Sequence, residues 1–455
     1  MSFLRTQPAW RVAALLIMLA PAGVAGAAGD DAALTLPDAV SRALREGAEA
    51  RIARLETAKA DAEVGKARSI YWPQAEVSSN AGWSNRQDDT IDALNGQNQL
   101  KRYPLSSLGS NEAWLSIYID QVLFDLSRWH GVERTELEQE AVAVQESQER
   151  ERISYAVTEQ YLHVLRLQRL VQADAQRIRD AEWLDRQAAT LLEAGRALAA
   201  DRDQAALALE EARLQAAARQ QELEDARAAL AQMIGGDGGE TVRELAPESV
   251  PNAVAPSEPD SDEALRDVPE LRILDLRRRM EEASLAAARA ERYPTLSMRG
   301  GYFHYGTKRF DAFESELAIG VDLHIPVFNG FRTSNAIEGA STALEAARLR
   351  FDAMRASKRA RLRELARRLA SNQQQPHLAE RRARLAAERR RIADLALQQQ
   401  RGAVSEALAA REDADRASRA AIDAYFDRVL LWASLEREAG ALTTALVGEQ
   451  ARATP

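Results

Sequence analysis

The chain returns on itself in order. Ala43-Leu44-Arg45 and Glu49-Ala50-Arg51 recur as Ala264-Leu265-Arg266 and Glu270-Leu271-Arg272, a numbering offset of 221 (264 − 43). The same offset carries Ala67-Arg68 onto Ala288-Arg289 and Trp72-Pro73 onto Tyr293-Pro294. Farther along, Phe124-Asp125 and Arg128 match Phe328-Asn329 and Arg332 with the offset reduced to 204 (328 − 124), and Gly195 matches Gly402. The difference of 17 (221 − 204) sits between Arg86 and Ser110, a stretch rich in Asn, Gln, Gly and Ser that reads as a longer loop. Any two Ala-rich helices share Ala and Arg, but not an ordered set of Pro, Phe and Gly landmarks, so the chain reads as two copies of one unit. The first copy is bounded at 28–236 and the second at 261–447, with a Pro-, Gly- and acid-rich linker at 237–260 and a tail at 448–455.

Each copy repeats one order of elements. A helical stretch runs to a proline: Leu36 to Tyr71 before Pro73, and Ser261 to Arg292, with a break at Pro269, before Pro294. Proline ends such a run and biases its predecessor toward extended backbone. Two alternating strands follow in each copy, at about 74–86 and 112–123 and at about 295–306 and 314–325. In the clearest, Leu317, Ile319, Val321, Leu323 and Ile325 share one face, and Ala318, Gly320, Asp322 and His324 the other. Its counterpart sets Leu115, Ile117 and Ile119 against Ser116, Tyr118 and Asp120. Trp83, Tyr302 and Tyr305 fall near strand ends, where aromatic residues suit the interface girdle of a transmembrane barrel. A half-buried soluble sheet produces the same alternation; the amino terminus and the duplication favour the barrel.

A long hairpin completes each copy. From Arg128 to Gly195 there is no Pro and, beyond Gly131, no Gly, which allows roughly 100 Å of helix. Ile153, Val157, Val164, Leu167 and Val171 recur at coiled-coil spacings. The chain turns at Gly195 and returns from Ala200 to Met233; the second copy runs from Arg332 to Gln400, turns at Gly402 and returns through Tyr425 to Leu435. Both glycines are expected as left-handed helix ends. Gln373-Gln374-Gln375-Pro376 predicts a kink in the second outgoing helix. The fold class is therefore mainly α with a small antiparallel β part, in two internal repeats.

The segment 1–27 reads as an export signal: Arg5 and Arg11 flank an apolar run at Val12 to Ala20, and small residues end at Ala25-Gly26-Ala27. That run is too short to span a bilayer, which needs about 20 residues. Removing it leaves 58 basic and 69 acidic residues, a net charge near −11 (58 − 69), which argues against nucleic acid as a partner. The chain has no Cys, hence no disulfide or thiolate metal site. No later apolar stretch approaches membrane-helix length, so a membrane-embedded chain must be a closed β-barrel. Four strands cannot close one, so membrane insertion requires several copies.

The order of helix, Pro, strand, loop and strand, with Val122-Leu123-Phe124-Asp125 or Pro326-Val327-Phe328-Asn329-Gly330 entering a hairpin, resembles the TolC family of outer-membrane efflux and secretion channels. So does Gly195 followed by Asp201, Ala-Leu-Glu-Glu-Ala-Arg and the closing Met233-Ile234-Gly235. The resemblance covers nearly the whole chain after Ala27. It implies a homotrimer whose chains give four strands each to a 12-stranded barrel, with the hairpins forming an α-barrel through the periplasm. It implies a passive exit duct for a tripartite efflux pump or a type I secretion system. A periplasmic adaptor would dock at the hairpin tips, here Gly195, Leu198 and Asp201 with Gly402, Val404 and Ser405, and an inner-membrane transporter would be reached through it. Asp120, Asp322 and His324 would line the barrel lumen. At the periplasmic entrance the family carries an Asp-x-x-Asp pair, but the matching positions here are Leu408 and Arg411; the first copy keeps Asp201, with Asp203 close by, and Glu406, Glu412 and Asp413 are the acids near the second turn.

Two rivals carry less of the sequence. An enzyme is not expected: His130, His163, His304, His324 and His377 are scattered without metal-ligand spacing, and no nucleophile elbow, P-loop or dinucleotide motif occurs. No cofactor or metal is expected either. A periplasmic coiled-coil adaptor or scaffold without a membrane-spanning barrel would have one hairpin or no alternating strands; this chain has two hairpins and four strands.

Overall fold

The structure, a computed structural model, describes residues 34–83, 90–94, 100–104, 111–235, 261–307 and 312–448. The export signal, the linker at 237–260 and the tail beyond 448 lie outside the described residues.

Two short helix pairs open the two halves. Helix α1 (Leu36–Glu46) starts from Thr35, whose side chain accepts a hydrogen bond from the Asp38 amide, and stops at an extended Gly47 before α2 (Ala48–Arg68). A side chain at Gly47 would run into the Ala43 carbonyl. In the second half α5 (Asp262–Arg266) and α6 (Pro269–Ala290) break at Val268, the counterpart of Gly47 under the repeat offset (268 − 47 = 221). Pro269 opens α6 at a position where its missing N–H is no loss.

Four strands form one antiparallel sheet in the order β1-β4-β5-β6, with β1 Gln74–Trp83, β4 Asn111–Phe124, β5 Thr295–Thr307 and β6 Ala312–His324. The stretch expected as a loop holds a second, two-stranded sheet, β2 (Thr90–Leu94) against β3 (Leu100–Pro104). Its Thr-Ile and Lys-Arg-Tyr runs are strand-compatible, but Asn and Gln around them mask the pattern.

The hairpins leave the sheet abruptly. Asp125 caps α3 (Leu126–Glu193) by accepting from the Arg128 amide at 3.0 Å, and α3 runs 68 residues to the first tip before α4 (Ala199–Met233) returns. In the second half α7 (Arg332–Ser371) passes through a 3-10 turn at Asn372–Gln374 into α8 (Gln375–Gln398), with Pro376 in its first turn, and α9 (Val404–Ala439) returns. A short α10 (Leu442–Val447) follows. No described helix is long and apolar enough to cross a membrane.

Side by side, α3 packs against α2 and α4 on one flank and α6 and α9 on the other, and α7 and α8 pack outside α6 and α9. The largest core lies midway along this array, where α1, α3, α4, α7, α9 and α10 meet around Tyr161, Leu162, Leu230, Leu362, Phe426 and Leu435. The buried Tyr161 donates its hydroxyl to the Leu34 carbonyl at 2.8 Å. A second, smaller core joins the two hairpin tips.

Candidate functional site

Strand register sorts the sheet into two unlike faces. Val77, Ile117, Tyr302 and Leu317 stand opposite one another across the four strands, and Ala75, Ile119, Gly300 and Ile319 form the next such row. This face is apolar and uncovered: Leu317, Ile319, Val321 and Leu323 are 83%, 78%, 64% and 59% exposed. Soluble proteins rarely leave so continuous an apolar surface bare. Toward its far end the face turns polar. Tyr302 stacks on His304, and both reach Ser315 Oγ, at 3.0 Å and 2.9 Å. The side chains of Trp83 and Tyr305 lie outside the described residues. At the helix end Trp72, Tyr293, Val327, Phe328 and Phe331 are exposed, and Phe328 meets Phe331 edge-on.

The opposite face is polar. Asp120 lies between Gln74 and Arg299, Asp322 opposite Ser297, and His324 opposite Thr295. The three residues expected at the lumen therefore share one face. Arg299, not among the residues expected there, donates to Asp120 Oδ1 at 2.6 Å. Its signal was available, since Arg299 has the parity of Ser297 and Gly301 along β5. Phe303 meets Tyr118 edge-on and lies over Gly301, where a Cβ would stand 2.7 Å from the ring. A side chain there would push the ring aside. The outer strands β1 and β6 have one partner each among the described residues, so the sheet has two open edges.

The tips are less alike than the sequence suggested. Gly195 is left-handed (φ 67°), and the Gly195 and Arg196 amides close α3 onto the carbonyls of Leu192 and Leu191. Leu198 is 70% exposed; its amide donates to Asp201 Oδ2 at 3.2 Å, which ties Asp201 to the start of α4. In the second tip Gln400 (φ 59°), not Gly402, takes the left-handed position. Gly402 is needed for closeness instead, because a Cβ there would lie 3.1 Å from the Ala396 Cβ. Val404, expected on the docking surface, is 4% exposed and packs with Leu184, Leu191, Ala205 and Leu397, joining the tips from inside; Ser405 is exposed beside it.

The expected entrance residues divide in the same way. Asp203 and Glu406 are exposed, while Leu408 packs on the tip core. Arg411 is not free to face an opening. It stacks over Trp183 at 4.6 Å, donates to Asp394 at 2.7 Å and to the Asp180 carbonyl at 2.6 Å. It belongs to a ladder between α3 and α9, Arg166 with Asp423, Asp174 with Arg419, Arg177 with Asp415 and Asp180 with Arg411, and Asp180 also takes Arg390 of α8. Acids and bases alternate along both helices, every four residues from Arg411 to Asp423 on α9, so a slip of one such step would set like charges together. Each member alone resembles a solvated helix face, so the set is not legible in the sequence.

Charge is also buried midway along the array. Both Glu151 oxygens accept from the Thr443 amide at 3.2 Å, at the start of α10. Burial pushes the Glu151 carboxyl up, partly offset by Thr443 and reinforced by Glu436, and burial also raises Glu436. Lys358 bridges Glu270 at 3.0 Å and Glu438 at 2.6 Å. Burial pulls its pKa down, but the two carboxylates outweigh it and the net shift is upward. Among the described residues no group of three or more His, Asp or Glu could hold a metal ion.

No protein-family model matches the sequence, and no curated protein is significantly similar to it. Solved structures do match. The transmembrane-channel protein CusC aligns at 17% identity with a TM-score of 0.75, over 89% of this chain and 92% of its own. The outer membrane protein VceC of Vibrio cholerae aligns at 14% and 0.74, over 89% and 96%. The CmeC outer membrane channel of Campylobacter jejuni aligns at 15% and 0.74, over 92% and 89%. With its bare-faced four-stranded sheet and paired hairpins, the chain has the fold of the TolC family of outer-membrane channels.

Proposed function

We propose that the chain is one protomer of a trimeric outer-membrane duct. The carrying observation is the sheet: one bare apolar face, one polar face and two open edges. In lipid, open edges leave backbone groups unsatisfied, so the sheet is stable there only when copies close it into a barrel. Three copies give 12 strands with the apolar face to lipid and Asp120, Asp322 and His324 to the lumen. The exposed aromatic residues at the helix end then mark one membrane boundary. The hairpins hang into the periplasm, and the chain reaches the membrane after loss of the segment ending at Ala27. The role of the solved outer-membrane channels with this fold supports the same reading.

The duct is passive and serves a tripartite efflux pump or a type I secretion system. An adaptor docks on the hairpin tips at Leu198, Asp201 and Ser405, around the turns at Gly195 and Gly402, with Asp203 and Glu406 near the entrance. Fractionation tests the reading: the full chain is expected in outer membrane as a species three times the protomer mass. Recovery as a soluble periplasmic monomer refutes it.

A further inference from the structure

We propose that the second copy of the repeat holds a binding cleft for a small amphiphilic organic anion, an apolar body carrying one carboxylate, sulfate or phosphate group. The site lies within one chain and does not depend on the proposed ring.

The cleft, about 410 Å³, opens between α3, α5, α6 and α7. Two cores part there. Leu265 and Leu271 belong to the central core, on which Phe351 packs, while Leu276 belongs to a separate core that α6 shares with α3. These four side chains give the cleft an apolar floor.

The rim is basic. Arg272 and Arg279 stand seven positions apart on α6 with Leu276 between them, so one helix face supplies floor and rim together. Arg355 stands one turn beyond Phe351 on α7, and Arg266 lies in the last turn of α5. Against these four Arg the lining has two acids, Glu140 and Asp275, a net +2 (4 − 2) in a chain whose own net charge is −9. Both acids are engaged: Asp275 pairs with Arg278 at 2.7 Å, and Glu140 lies 3.9 Å from Arg279. Arg266 and Arg272 are exposed and have no ion-pair partner among the described residues. A cavity of this size with an apolar floor and a few convergent polar groups has the form of a small-molecule site. An excess of guanidinium groups selects an anionic head.

The duplication makes this lining particular to the second copy. Arg266 and Arg272 answer to Arg45 and Arg51, but Arg279 answers to Ala58 (279 − 221), Phe351 to Ser147 (351 − 204) and Arg355 to Glu151 (355 − 204). The cleft over the matching stretches of α2 and α3 is lined by seven Glu and two Arg, a net −5 (2 − 7). The groove thus recurs with opposite charge. Packing explains why it recurs, but not why the second copy alone gains an aromatic ring and two further guanidinium groups.

Titration of the full chain in lipid nanodiscs with naphthoate, followed by calorimetry, tests the site. One naphthoate per chain is expected. Naphthylmethylammonium, the same ring with a cationic head, should not compete, and inorganic phosphate, a head without a body, should compete only weakly. Arg266→Gln with Arg272→Gln should weaken binding on the order of a hundredfold, about tenfold for each lost charged hydrogen bond. Arg272→Lys should lose less, since it keeps the charge without the fork. Helix content by circular dichroism should stay unchanged in these variants, whose altered side chains are exposed. Phe351→Ser, which installs the first-copy residue, should weaken naphthoate and leave phosphate unaffected. No saturable binding by the wild type, or equal binding by the wild type and the double Gln variant, overturns the site. Binding that appears only when the acid-rich segment 237–260 is exchanged for a neutral linker assigns the cleft to that segment, and binding lost on assembly assigns it to a neighbouring copy; either result overturns the proposal.

Discussion

Replacing Ile319 with Arg should block membrane insertion, while Asp322→Asn on the opposite face should not. Ile319 is 78% exposed, in the row that also holds Ala75, Ile119 and Gly300, none of which offers a charged partner. The uncovered apolar run on β6 goes from Leu317 to Leu323, about 20 Å along a strand, and Ile319 sits within it rather than at its rim. An Arg near the bilayer midplane of a barrel costs roughly 2–4 kcal/mol. Three copies multiply that to about 6–12 kcal/mol per ring, comparable to the whole stability of a typical domain. Asp322 faces the polar side opposite Ser297, where a neutral isostere should change stability by no more than about 0.5 kcal/mol. The assay is refolding of the full chain into lipid vesicles, read as the heat-resistant trimer fraction across a urea titration. Equal losses from the two substitutions would refute the assignment of the faces. A normal trimer yield from Ile319→Arg would refute lipid contact altogether.

Three further outcomes are expected. Lys358→Met leaves Glu270 and Glu438 facing each other and should destabilise the central core by about 2 kcal/mol, less than for a fully buried pair, read by hydrogen exchange in α7 and α9; adding Glu438→Gln should recover part of it. Glu151 binds its proton more tightly folded than unfolded, so stability should rise as pH falls from its raised pKa toward the ordinary carboxyl value of 4.5. Melting at stepped pH should show this rise in the wild type and a smaller one in Glu151→Gln. Gly195→Ala forces a Cβ into a left-handed turn with open space around it and should cost about 1 kcal/mol, seen as faster exchange at the first tip with the central core unchanged.

The elements were legible in the sequence wherever one physical rule acted alone. The parity of Leu317 through Ile325 sorted β6 correctly, and the absence of Gly and Pro after Gly131 marked α3. What was hidden depended on two segments at once. Val404 looks like a surface residue at the start of α9, and the approach of α3 and α4 together with Leu397 buries it. Arg411 looks like a replacement for an acid at an opening, yet Trp183, Asp180 and Asp394 hold it from two other helices. The left-handed position went to Gln400 because Gly402 was needed for its small size, and spacing alone does not separate those two demands. The β2–β3 hairpin was missed since its strands are five residues each within polar sequence.

The open-edged sheet also dictates an order of events before assembly. A lone copy with its sheet formed would show β1 and β6 edges and an oily face to water, the surface on which strands of different molecules aggregate. Within each half the hairpin helices pack on one another, α3 on α4 and α8 on α9. The sheet pairs β4 with β5, strands from opposite halves of the chain that bring Asp120 beside Arg299, a pairing of long sequence separation that forms slowly. The polar hairpins therefore serve as the soluble handle of an unfinished molecule. In the proposed duct its sheet is safest left unformed, or shielded by a chaperone, until lipid and the further copies are at hand.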